Sequence, residues 1–92
     1  MALRPALLAL LVLAASPGAP ARAALAADAS TCLGYERQVD LAIAQRGTAP
    51  RIEAAKVRRE RGATACAEGR HRAGIGEFRL ALRELGVKPT VP

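Results

Sequence analysis

Ninety-two residues, 51% of them hydrophobic and 24% charged, with a net charge of +6, leave room for one small domain and none for a second. One tyrosine, one phenylalanine and no tryptophan offer little for stacking on nucleic-acid bases.

The opening quarter of the chain has the layout of a secretory signal peptide. Arg4 precedes an unbroken apolar run over 6–15, Ser16-Pro17-Gly18 interrupts it, and small residues follow at Ala21-Arg22-Ala23 and Ala24-Leu25-Ala26. A run of about ten apolar residues is too short for a bilayer, which takes roughly twenty, so export with cleavage near Ala23 or Ala26 is expected in place of an anchor. The polar stretch Asp28-Ala29-Ser30-Thr31 before Cys32 argues against acylation of that cysteine and for a thiol kept for pairing. The expected organisation is a leader over 1–26, a three-helix domain over 27–87 and a flexible tail over 88–92, in a periplasmic or secreted protein.

Loss of Arg4 and Arg22 with the leader leaves twelve basic residues against eight acidic ones, a net of +4. Such a chain favours anionic partners, and export makes phospholipid head groups, polysaccharide or an acidic protein face better candidates than nucleic acid. The abundance of Ala and Arg points to a GC-rich bacterial genome. Few large aliphatics remain after the leader, so the core is thin and a covalent staple is expected. Two cysteines in an exported chain supply one.

The first helix is predicted to start at Ser30 or Thr31 as a cap, with Asp28 adding favourable charge. Cys32, Tyr35, Val39, Ala42, Ile43 and Arg46 recur at steps of three and four, an apolar stripe bordered by Glu36, Arg37 and Asp40. Gly47 suits a left-handed helix end, Thr48 a new cap, and Pro50 the first turn of a second helix reaching about Glu68. So short a connection makes these two helices antiparallel neighbours. Cys32 lies fifteen residues before Gly47 and Cys66 sixteen after Pro50, arms of about 22–24 Å at 1.5 Å per residue, so folding back brings both sulfurs to the same end. Ile52, Ala55, Gly62, Ala63 and Cys66 share one sector of the second helix, small enough for close backbone approach. Arg59 falls on that sector too, and either its stem snorkels past the interface or the helix is rotated.

Gly69 breaks the chain before a third helix from His71 to Leu85. Ile75, Phe78, Leu82 and Leu85 form its seam, and Gly86, Val87 and Pro89 provide a left-handed end, a Schellman contact and a stop. Nothing after the leader alternates as a strand would. The expected fold is all-α: a disulfide-clipped antiparallel helical hairpin with a third helix packed across it.

Gly62, Gly69, Gly74, Phe78, Ala81 and Leu82 have the spacing of the small and apolar positions of a tetratricopeptide-like hairpin, and residues 55–87 resemble one degenerate repeat. Arg58, Arg61 and Ala65 depart from that pattern, and its closing proline is displaced to Pro89. A lone repeat cannot bury its own face, so the resemblance implies that the first helix stands in for the missing neighbour.

Among the residues that carry chemistry, the cysteine pair reads as a structural bridge. Redox work favours a close C-x-x-C at a helix start, and Cys66 lies late in a helix, where the dipole disfavours a thiolate. His71 with Cys66 and Cys32 falls short of a zinc ligand set, no haem signature is present, and no cofactor or metal is expected. Arg51, Lys56, Arg58, Arg61, Arg70 and Arg72 form a candidate cationic surface, whose plain alternative is a solvated face balanced by Glu53, Glu60 and Glu68. Ser30 has no identifiable base, so the chain is not expected to be an enzyme. The leading expectation is a non-enzymatic envelope protein that binds another protein through its helical surface; the alternative is attachment to anionic membrane or polysaccharide.

Overall fold

The computed structural model describes residues 19–92, which form α1 (Ala19–Gln45), α2 (Ile52–Ala67) and α3 (His71–Glu84), with no strand among the described residues. Cys32 of α1 and Cys66 of α2 are joined by a disulfide, with Cα atoms 6.2 Å apart across a sequence separation of 34. The fold is the expected clipped antiparallel pair with a third helix packed on it. The apolar run over 6–15 lies outside the described residues, while Ala23 and Ala26 are exposed on α1.

α1 begins eleven residues before Ser30. Alanine dominates 19–29 and has the highest helix propensity of any residue, while Pro20 falls in the first turn, where its missing N–H is tolerated. Ser30 and Thr31 are therefore interior to the helix instead of capping it. The Thr31 hydroxyl donates back to Ala27 O at 3.0 Å, one turn earlier.

The α1–α2 connection also differs from its expected form. Gly47 does not adopt a positive φ, a conformation found only at Gly69 and Gly86 among the described residues. Thr48 is not the cap of α2 either: Arg51 holds that position without a side-chain bond, and helix starts at Ile52, two residues beyond Pro50. Ile52 N–H donates to Ala49 O at 3.1 Å, so Pro50 occupies the second position of a turn, where its fixed φ is favoured.

The two other helix ends match their sequence signals. At Gly86 (φ 69°) the Val87 N–H donates to Leu82 O and the Gly86 N–H to Arg83 O, the paired bonds of a Schellman motif. Gly69 (φ 82°) closes α2 in the same way, through Arg70 N–H to Ala65 O and Gly69 N–H to Cys66 O. Arg46, just past α1, donates to Leu85 O at 3.3 Å and places a cation at the carbonyl end of α3.

The core is unevenly supplied. Tyr35, Val39 and Ala42 come from α1 and Phe78, Ala81, Leu82 and Leu85 from α3 or its cap, whereas α2 contributes Ala55 alone to the buried cluster. Large side chains of α1 and α3 thus meet beneath a helix whose inner face is small. That face permits close packing of α2 on α3 more than on α1: a Cβ at Gly62 would lie 2.6 Å from Phe78 Cε1 and 3.1 Å from Gly74 O, and one at Gly74 would fall on Cys66 Sγ and 2.8 Å from Gly62 O. Of the small sector, Cys66 is bridged to α1, whereas Gly62 packs against α3.

Residues 88–92, expected as a flexible tail, are tied to α1. Gln38 Nε2 donates to Lys88 O and Gln38 Oε1 accepts from Thr90 N–H, both at 3.1 Å; the Tyr35 hydroxyl donates to Val91 O at 3.1 Å. The Val91 side chain, half-buried, fills the notch left by Gly34, where an added Cβ would lie 3.3 Å from it.

Candidate interaction surfaces

Four of the six residues of the candidate cationic surface are paired with carboxylates. Arg51 pairs with Glu84 and Arg58 with Glu77 (3.3 Å), two rungs between α2 and α3 that follow from antiparallel register, since each step of seven along α2 meets a step of seven back along α3. Lys56 lies 3.4 Å from Glu53 of its own helix, and Arg70 pairs with its near neighbour Glu68. Arg61 and Arg72 are exposed, with no carboxylate partner among the described residues. The Arg51 hydrogen bond holds the Glu84 carboxyl below its ordinary value and raises the guanidinium in turn.

Arg59, left outside that set, organises the α1–α2 seam. Its guanidinium forks onto Asp40 at 2.8 and 3.1 Å, lies 3.3 Å from Glu36 of α1, and reaches Glu60 of α2 at 3.1 Å. Its side chain is 25% exposed, and the Asp40 hydrogen bond is the main cause of its raised pKa. The head of this arginine on an apolar sector meets the carboxylates that border the α1 stripe.

Beside the disulfide, α1 and α2 leave a shallow groove of about 470 Å³. Ala29, Leu33, Ala63, Ala67 and the bridged cysteines make its lining mostly apolar, with Glu36 and His71 also on its wall. Leu33 is 54% exposed there. His71 is half-buried, and its carbonyl oxygen lies 3.6 Å from Cys32 Sγ, a packing contact because a bridged sulfur carries no proton to donate. A second open groove of about 430 Å³, between α2 and α3, includes Glu60, Arg61, Thr64, Arg70 and Glu77. Glu60 and Glu77 are engaged by Arg59 and Arg58. Ser30 is exposed on α1 and lines neither groove. Among the described residues no three of His, Cys, Asp and Glu gather as metal ligands would, and no helix is long and apolar enough to cross a membrane.

No family model, curated protein or solved structure matches the chain.

The tail clamp at Tyr35 and Gln38 and the Arg59 junction were the features that sequence reading missed. Arg59 carried a signal, as a lone charge on an apolar sector with Glu36 and Asp40 at the border of the facing stripe. Gln38 carried none, because a polar residue on a helix border has no local mark of a partner 50 residues away.

Proposed function

We propose that this chain is an exported, non-enzymatic helical module of a bacterial envelope, periplasmic or secreted after loss of its leader, that binds another protein through its helical surface. The observation that supports this reading most is the apolar groove beside the disulfide, walled by Ala29, Leu33, Ala63 and Ala67 on two helices that the bridge holds in fixed relation. A preset apolar concavity with few polar groups suits contact with a protein surface better than chemistry on a small substrate. The internal pairing of Arg51, Arg58, Arg59 and Arg70 adds support, since cations already satisfied by carboxylates attract an anionic lipid or polysaccharide less strongly.

The test is co-purification of the tagged mature protein from its own envelope fraction at low and high salt, beside a Leu33→Glu variant. A protein retained at high salt by the wild type and lost with Leu33→Glu is the expected result. Binding to anionic vesicles or polysaccharide that disappears at high salt, where surface charges are screened within about 10 Å, would replace this reading with attachment through Arg61 and Arg72.

A further inference from the structure

The contact between α1 and residues 88–92 has the form of a recognition site. One side chain, Gln38, holds two main-chain groups two residues apart: its NH2 donates to Lys88 O and its oxygen accepts from Thr90 N–H. That is the donor and acceptor pair an adjoining β-strand would present, here supplied by a single amide. Pro89 falls between the two bonded residues, where its missing N–H leaves nothing unsatisfied. One turn earlier on α1, the Tyr35 hydroxyl donates to Val91 O and accepts from Arg79 Nε at 3.2 Å, which directs the phenolic proton at that carbonyl. The Arg79 guanidinium lies 5.8 Å from the Tyr35 ring centroid and braces the ring as well. Only one tail side chain is read on this face: Val91, in the notch at Gly34. Lys88 and Thr90 are exposed.

All eight members of the buried cluster lie at or before Leu85, and from the tail Val91 alone packs against that cluster, as a partly buried side chain at its edge. Both Gln38 bonds are solvent-exposed, and no ion pair holds the segment among the described residues.

We propose that Gly34, Tyr35 and Gln38 form a binding site for an extended peptide segment of the type Pro-x-Val from a partner protein, and that residues 88–92 occupy this site as a displaceable internal ligand. The proposal rests on the protein-interaction reading and names a site and ligand class for it. Main-chain bonds from Gln38 and Tyr35 set the extended form, the Gly34 notch selects a β-branched apolar residue, and a proline two positions earlier limits the freedom of the unbound segment.

The probe is a fluorescently labelled hexapeptide with the sequence of residues 87–92, titrated into the full chain with its disulfide intact. The tethered tail competes at an effective concentration in the millimolar range, so the wild type binds the peptide weakly. Val91→Asp, which removes the tail's apolar anchor and leaves the site untouched, raises affinity by about tenfold or more. Adding Gln38→Ala or Gly34→Val to that variant abolishes the gain. If Val91→Asp loses its helical circular dichroism, Thr90→Pro serves instead, since it removes the N–H from which Gln38 Oε1 accepts. Absence of saturable binding to a folded loosened variant, equal affinity for wild type and variant, or indifference to Gln38→Ala overturns the proposal. Self-association that the peptide dissolves also overturns it, by assigning the site to the tail of a second copy. A synthetic probe keeps this result separate from the envelope co-purification, so either reading can fail alone.

Discussion

Alanine at Gly74 and alanine at Gly76 should have opposite effects on stability, although both substitutions are made in α3, two residues apart. In an unobstructed helix, Gly→Ala gains about 1 kcal/mol from restricting the unfolded backbone. Gly76 is unobstructed, with nothing within 4 Å of an added Cβ, so its substitution should stabilise by about 0.5–1 kcal/mol. At Gly74 the same methyl falls on Cys66 Sγ, 2.8 Å from Gly62 O and 3.0 Å from Cys66 N. A bridged sulfur and two backbone atoms have no rotamer to escape into, so α2 and α3 must separate. Overpacking of this kind costs roughly 1–3 kcal/mol, and the rigidity of these neighbours places it near the top of the range. Net of the helix gain, Gly74→Ala should destabilise by about 2 kcal/mol, a fall in Tm of about 8–16 °C for a domain this size. Thermal and urea unfolding followed by far-UV circular dichroism, on protein whose disulfide is confirmed by mass, measures both. A Gly74→Ala protein as stable as the wild type with its bridge intact would refute the close approach of α2 and α3.

Reduction, or the double substitution of Cys32 and Cys66 by Ala, should cost about 4 kcal/mol on the chain-entropy estimate for a loop of this length, measured as the Tm difference with and without reductant. Arg59→Ala should lower stability by about 1 kcal/mol, discounted for partial exposure, and the loss should shrink in 1 M salt; an unchanged urea midpoint would show that the fork onto Asp40 contributes nothing. Glu84 has a folded-state pKa below its ordinary value because Arg51 is hydrogen-bonded to it, so its contribution is present above the ordinary carboxylate range and is lost as pH falls through the depressed value. Arg51→Ala should accordingly flatten the acid side of the stability profile while leaving its neutral-to-alkaline side parallel to wild type.

The parts of the fold that depended on local chemistry were legible beforehand. Gly86 followed by Val87 and Pro89 announced a Schellman end, and the steps from Ile75 to Leu85 announced the α3 seam, because both are set by residues within a turn or two of each other. The cap at Ser30 or Thr31 was the weaker of two local signals, and an alanine-rich stretch carried the helix through it. Among the candidate cations, the sequence offered Arg51 and Arg58 as part of one surface but gave no sign that α3 would bring Glu84 and Glu77 to them. Whether a charge is solvated or paired depends on the helix across from it, and helical period says nothing about that helix.

By itself, the order of residues determined three helices, their lengths to within a few positions at most ends, and the meeting of Cys32 with Cys66, because equal arms on a short turn admit one geometry. Only the tertiary structure decided that the small face of α2 lies closest to α3, that Arg59 ties α2 to Glu36 and Asp40, and that residues 88–92 lie bonded along α1. Each of these joins groups that are distant in the chain and carry no pattern of their own. Their energy exists only once three rods have been set side by side, and periodicity along one rod cannot report which neighbour its edges will touch.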